Sequence, residues 1–248
     1  MRLGLWMPSW NRARFANRLL AQVADQLTPD VQATLSLNPP ADGYEIPAGI
    51  EVIRNATNIG GDANIDNGLT VMQTDYLWII GDDEQLLPGA VDEVLDLTAQ
   101  DPGMIVCTDG RFDHGPTGSF DSWVEWMDAC VSAGRGVMLT AQTLVSSTVF
   151  RRAGVDLDEV ARKADSSFGR HFGMLAGLMW EPVVVTRQPV FIAGRCSDSS
   201  IYAATAAEQA AHMARVPASL RHLIEWVNAR ADRDYPETCY QAGVGFDN

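Results

Sequence analysis

Asp75-Tyr76-Leu77-Trp78-Ile79-Ile80-Gly81-Asp82-Asp83-Glu84 decides how the rest of the chain is read. Leu77 to Ile80 is a short, wholly apolar run that breaks at Gly81 into three consecutive acids. Such a run, bounded by punctuation, fits a strand buried on both faces, as in a parallel sheet. Carboxylates crowded at its carboxyl end are costly: two unit charges about 4 Å apart repel by roughly 4 kcal/mol at an effective dielectric of about 20. A cation offsets that cost, and a hard divalent ion with oxygen ligands suits carboxylates. Ligand sites in open α/β sheets lie outside the carboxyl ends of the strands, so the location fits as well. The competing reading is a solvated turn whose acids favour the start of a helix after Pro88.

Working outward, the flanking chain alternates strands and helices. Upstream, Leu3 to Met7 reads as a first buried strand stopped by Pro8-Ser9, and Asn11 to Leu27 as a helix ended by Pro29. In that helix Phe15, Leu19, Leu20, Val23 and Leu27 recur at helical spacing. Val31 to Leu37 and Ile50 to Arg54 read as strands around a loop that includes Asn38-Pro39-Pro40-Ala41-Asp42-Gly43. A glycine-bearing turn, Asn58 to Asn64, leads into a helix to about Gln73.

Downstream, Pro88 suits a first helical position, with Val91, Val94 and Leu95 as the apolar face, and Met104 to Cys107 is another short strand. From Thr108 to Gly136 the chain is rich in Asp, Gly and Trp and reads as an insertion over the carboxyl edge of the sheet, with a short helix at Ser122 to Cys130. Leu144 to Phe150 is read as a strand, Asp156 to Lys163 and Phe168 to Leu178 as helices, and Glu181 to Thr186 with Val190 to Ile192 as a late strand pair. The tail from Ala203 is read as helical, with Leu220, Leu223, Ile224 and Val227 as a stripe packed on the domain or on a second subunit. The predicted fold is α/β, a doubly wound, mostly parallel sheet with helices on both faces and a C-terminal helical extension. The expected division is 1–200, split at 107/108, followed by 201–248.

Composition excludes some functions. The 248 residues carry a formal net charge of -14, against a sequence-independent binder of nucleic-acid phosphates and against an anionic membrane surface. The four cysteines are scattered without a CxxC pair, as reduced thiols of an intracellular protein would be. The apolar run at the amino terminus is too short for a signal peptide, and no stretch approaches the roughly 20 apolar residues of a membrane span. A soluble, cytoplasmic protein is expected.

Four motifs in order resemble the family-2 inverting glycosyltransferases of the GT-A fold. Met7-Pro8-Ser9-Trp10-Asn11-Arg12 is similar to that family's opening strand and turn. Asn58, Gly60, Asn64 and Gly68 are spaced like its asparagine–glycine helix signature. Tyr76 to Glu84, followed by Leu87-Pro88-Gly89-Ala90, resembles its metal-binding DxD strand, and Val145 to Arg152 its acceptor-side strand. Glycine ahead of the acids is most similar to the abequosyltransferase-like branch.

The resemblance implies a nucleotide-diphosphate sugar as donor and a glycan, lipid-linked sugar or protein as acceptor. It implies Mn²⁺ or Mg²⁺ on Asp83, with Asp82 toward the ribose or the metal's water shell and Glu84 behind. Carboxylate-bound metal would neutralise the diphosphate leaving group as a Lewis acid. Pro8, Ser9, Asn11, Arg12, Asp42, Asn58, Gly60, Asn64, Asp82 and Arg195 would then line the donor. Here Gly81 replaces the first acid of the usual triplet, and only Asp42 stands in for the usual base-binding acids.

An inverting transfer also needs a general base within reach of the acceptor hydroxyl. Asp165 is the first candidate, set against a helix cap, and Asp109 the second. His171 is read as a structural histidine, a further metal ligand or an acceptor contact. Arg195 and Arg12 are read either as diphosphate contacts or as ordinary surface or ion-paired arginines. Trp123 and Trp126 either stack on an acceptor sugar or pack their helix on the sheet. Two other functions fit the same fold: a nucleotidyltransferase-like enzyme and an inactive module that binds sugars or nucleotides. A GxGxxG oxidoreductase does not fit Gly60-Gly61.

Overall fold

The structure, a computed structural model, describes residues 1–109, 115–133, 145–163, 169–193 and 221–235. In chain order the elements are β1 (Leu3–Trp10), α1 (Ala13–Ala24), β2 (Val31–Asn38), β3 (Ile50–Arg54), α2 (Gly61–Val71), β4 (Tyr76–Ile79), β5 (Gln85–Leu86) and α3 (Ala90–Thr98). Then follow β6 (Met104–Val106), β7 (Gly118–Phe120), α4 (Trp123–Ser132), β8 (Thr148–Arg151), α5 (Leu157–Arg162), α6 (Gly169–Leu178), β9 (Val183–Val185) and β10 (Phe191–Ile192). Residues 221–231 are helical.

Eight strands form one sheet in the order β3-β2-β1-β4-β8-β6-β9-β7. Strands β1 to β4 run parallel, β8 runs antiparallel between β4 and β6, and β9 is parallel to β6. All of β4 is buried, as its unbroken apolar run requires of a central strand. Alternate residues feed two cores. Leu3, Leu5, Met7, Trp78 and Ile80 meet Leu19, Leu20 and Val23 of α1 and Val91 and Val94 of α3 on one face. Trp6, Leu77 and Ile79 meet α2, α4 and α6 on the other.

Four expectations change. β1 does not stop at Pro8; it continues to Trp10, paired with β2 through Pro8↔Ser36 and Trp10↔Asn38. β4 pairs only with Leu3 to Trp6, and the Trp6 carbonyl accepts Ile80 N–H. Residues of that parity face β4, so Pro8 falls beyond its end, where a missing N–H breaks no ladder. Pro88 precedes the helix: α3 starts at Ala90 behind Gly89, whose φ of 78° is readily met by glycine. The stretch 144–150 begins as a 3₁₀ turn at Val145–Ser147 and becomes β8 at Thr148. The late strands do not pair with each other. The three valines of β9, all buried, slot between β6 and β7, whereas β10 pairs antiparallel with β5.

The C-terminal stripe is used within the chain. Leu223, Ile224 and Val227 are buried in the core that α4 and α6 share, each worth about 1.5–3 kcal/mol of burial, while Leu220 lies outside the described residues. Arg233 and Tyr235 then hold Asp128 of α4, at 3.1 and 3.0 Å. No helix among the described residues is long and apolar enough to cross a membrane.

Candidate functional site

The carboxyl ends of β1, β2, β4 and β6 point to one edge of the sheet, and the polar residues collect there. The turn after β4 is its centre. Glu84 N–H returns to the Gly81 carbonyl at 3.1 Å, folding the turn back on itself. Gly81 N–H donates to Ser146 Oγ at 3.0 Å, and Trp78 Nε1 donates to the Ser146 carbonyl at 2.8 Å. The turn ahead of β8 thus braces the acid turn from behind. Asp82, Asp83 and Glu84 are all less than a tenth exposed, so the solvated-turn reading does not hold.

Arg12 supplies the cation. Its Nη1 lies 2.9 Å from Asp82 Oδ1 and its Nη2 2.7 Å from Asp83 Oδ2, with the Arg12 side chain 8% exposed. Two nitrogens of one planar fork therefore bridge two carboxylates, a charge-assisted geometry that lysine could not reproduce. Arg18 Nη2 adds a bond to the Asp83 carbonyl at 3.0 Å. On the other side Ser9 Oγ donates to Asp82 Oδ2 at 2.5 Å. Tyr44 OH sits 2.9 Å from Ser9 Oγ and accepts the Arg12 N–H at 3.1 Å. With the Ser9 proton committed to Asp82, the Tyr44 hydroxyl donates to Ser9. Burial pushes Asp82 up to about 7, against the pull of the guanidinium and of Ser9.

Asn11 turns the chain between β1 and α1 with φ 52°, a conformation asparagine tolerates. A second polar group lies at the end of β2. Asn64, 2% exposed on α2, accepts from Ser36 Oγ at 2.5 Å and donates to the Ser36 carbonyl at 3.1 Å. Its carbonyl accepts Trp6 Nε1 at 2.8 Å, and a Cβ on Gly68 would lie 2.7 Å from the same indole. The spacing of Asn64 and Gly68 therefore seats α2 on Trp6. Asn38 Oδ1 accepts Asn55 Nδ2 at 3.0 Å, and Asn58 Oδ1 accepts the Gly60 N–H at 3.0 Å. Gly60, at φ 86°, is the residue before α2. Asn58 and Gly60 are exposed, as is Asp42 on its turn.

Asp109 follows β6, is 3% exposed, and accepts the Ala193 N–H through Oδ2 at 3.2 Å. Its backbone bridges Phe191, so β6, β10 and β5 link Asp109 to the strand behind the acid turn. Trp123 and Trp126 are fully buried in the core, with Trp126 Nε1 on the Pro116 carbonyl at 3.1 Å. Packing of α4, one of the two readings of these rings, matches their burial; neither ring offers a face for a sugar. Asp165 and Arg195 lie outside the described residues, as does the side chain of His171 on α6. Cys107 and Cys130 are buried and form no disulfide. Ser146, Tyr44, Arg18 and Asn38 belong to the site without having been singled out; only the position of Asn38 at a strand end offered a signal.

Asp82 and Asp83 offer hard oxygen donors, and the guanidinium between them is a stand-in cation, so the pair fits one cation. Among the described residues no group of three or more His, Cys, Asp or Glu gathers around a point that could hold a metal ion. A divalent ion there would take its remaining ligands from phosphate and water, as Mg²⁺ commonly does.

S. aureus TarS 1-349 shares this mixed α/β architecture, with TM-score 0.57 and 11% identity over 80% of this chain and 62% of that one. Its complex with UDP-GlcNAc gives 0.57 and 10%, over 78% of this chain and 58% of that one. Its complex with UDP gives 0.58 and 12%, over 78% and 60%. The chain thus spans about three fifths of the length of these chains. At such identities the likeness is one of fold alone, the GT-A fold. No curated protein matches the chain in sequence. The family model for glycosyl transferase family 2 matches residues 5–152. That span runs from β1 to just past β8 and takes in Ser9, Arg12, the acid turn, Asp109 and Ser146, and the chain belongs to glycosyl transferase family 2.

Proposed function

We propose that the protein transfers a sugar, with inversion, from a nucleotide-diphosphate sugar to an acceptor hydroxyl. The observation that carries this reading is the buried pair Asp82 and Asp83 at the carboxyl end of β4, bridged by Arg12. In an open α/β sheet that edge is where nucleotides lie. Family membership and the TarS complexes with UDP and UDP-GlcNAc support a nucleotide-sugar donor. Gly81, ahead of the acids, supports the abequosyltransferase-like branch.

In this reading the groups divide the labour as follows. Ser9, Asn38 and the Asn58–Asn64 segment line the nucleotide end, with Pro8, Asn11 and Asp42 at its rim. Asp83, assisted by Asp82, would hold Mn²⁺ or Mg²⁺, which when bound neutralises charge on the leaving diphosphate. His171 is a further ligand candidate, and Arg195 a diphosphate contact. A carboxylate removes the acceptor proton: Asp165, just ahead of α6, is the first candidate, and Asp109 the second, already fixed by the Ala193 N–H. The acceptor is a glycan, a lipid-linked sugar or a protein, since a net charge of -14 repels nucleic acid. The first 107 residues form the donor half, 108–200 the acceptor half, and 201–248 the C-terminal extension, in a cytoplasmic enzyme.

The test is a panel of nucleotide sugars with and without Mn²⁺, scored for transfer and for donor hydrolysis, beside Asp83→Ala. Turnover of one donor, falling by at least ~100-fold in the variant, is expected. No turnover with any donor, together with unchanged nucleotide binding in Asp83→Ala, would overturn the reading.

A further inference from the structure

We propose that Arg12 excludes divalent metal ions from the nucleotide-free protein, and that it changes partners, from Asp82 and Asp83 to the diphosphate, when metal and nucleotide enter together. The proposal rests on the donor reading above for its second half only.

The first half follows from how the carboxylates are used. Arg12 holds Asp82 Oδ1 and Asp83 Oδ2 at 2.9 and 2.7 Å, and Ser9 holds the other Asp82 oxygen at 2.5 Å. A metal ion binds carboxylate oxygen at about 2.0–2.6 Å, so it competes with these donors for the same oxygens and is repelled by the guanidinium beside them. Displacing the guanidinium strands a buried charge, because Arg12 is 9% exposed and its neighbours are acids. No third ligand from the described residues is at hand to repay a lone metal ion for that loss.

The second half follows from charge. With both carboxylates ionised, the pair and the one guanidinium leave one negative charge in excess, which repels a diphosphate. A divalent ion added to the same acids reverses the sign. It also releases a fork whose planar donors match phosphate as well as carboxylate. Metal and nucleotide therefore enter as a pair, and Arg12 has an acceptor in both states.

The experiment is an electron paramagnetic resonance titration of the full chain with MnCl₂, with and without UDP. Wild type is expected to bind Mn²⁺ alone only weakly and to take it up readily when UDP is present, beyond what UDP binds by itself. Arg12→Met is expected to bind Mn²⁺ without nucleotide about 10–100-fold more tightly than wild type, and to bind UDP with Mn²⁺ about tenfold more weakly. The metal gain should vanish in Arg12→Met/Asp83→Ala. Arg12→Lys, with a point charge unable to span both acids, should show a smaller gain, and decides the matter if Arg12→Met fails the circular-dichroism check of folding. Wild type that binds Mn²⁺ alone as tightly as the arginine variants overturns the proposal, as does a gain that survives Asp83→Ala. Sugar transfer is scored separately: turnover in a wild type that also binds Mn²⁺ alone sinks the exchange and spares the transferase. A metal gain in the variants without any turnover does the reverse.

Discussion

Ser9 donates its hydroxyl to Asp82 Oδ2 at 2.5 Å, joining the end of β1 to the turn after β4. Ser9→Ala removes this bond and leaves Tyr44 OH without the Ser9 acceptor. Because the lost bond is to a buried carboxylate, a destabilisation of about 1.5–3 kcal/mol is expected. Urea unfolding measures it, and Tyr44→Phe, which takes away the outer link and the acceptor of the Arg12 N–H but no bond to a carboxylate, should cost less.

Asp82 makes stability depend on pH. Burial raises its folded value to about 7, against about 3.9 in an unfolded chain. The folded state therefore binds this proton more tightly, and the contribution is full below about pH 4 and lost as pH rises through about 7. In metal-free buffer the stability of wild type relative to Asp82→Asn should fall across that window. Denaturant midpoints of the two proteins at several pH values check this; a flat difference contradicts it.

Two glycines predict opposite outcomes. A Cβ on Gly177 of α6 would lie 1.7 Å from the Gly154 carbonyl oxygen, and backbone cannot step aside. Gly177→Ala should cost about 3 kcal/mol or more. A Cβ on Gly81 would have Glu84 Cγ and Oε1 at 3.3 Å and Asp83 Oδ1 at 3.4 Å as its nearest neighbours, side-chain atoms that need give way by only a few tenths of an ångström. Gly81→Ala should cost less than about 1 kcal/mol. Thermal unfolding of the pair gives the comparison.

Val227→Asp places a carboxylate among apolar side chains of the second core, where Val227 is fully buried. The full chain should lose several kcal/mol, about 3 or more, or fail to fold. The change Glu225→Ala, at an exposed position of the same helix, should leave the melting point within about 2 °C. Comparable melting points for the two would show that the 221–231 helix contributes little.

The acid turn was legible because a strand buried on both faces needs an unbroken apolar run, and Leu77 to Ile80 supplies one that ends abruptly in charge. The α2 signature was legible for a similar reason: Gly68 and Asn64 answer to Trp6, whose packing and indole N–H leave few alternatives. Tyr44 and Ser146 were not legible. Each is a common polar residue in a loop or turn, and its role depends on which strand end the fold brings beside it. Trp123 and Trp126 show the converse, since an aromatic pair on a helix reads the same whether its rings face solvent or a core.

By itself the sequence determined the alternation of strands and helices, the acids at one strand end, and the need for a cation beside them. Periodicity and punctuation are local, and so is the repulsion between adjacent carboxylates. Only the tertiary structure decided which cation meets them in the free protein. Arg12 lies on the far side of a crossover from Asp82, and nothing within either segment encodes its 2.9 Å approach. It likewise decided the partners of β9 and β10, because two short apolar runs close in sequence can pair with each other or join different strands. Burial settled that choice: three valines with no exposed face belong inside a sheet.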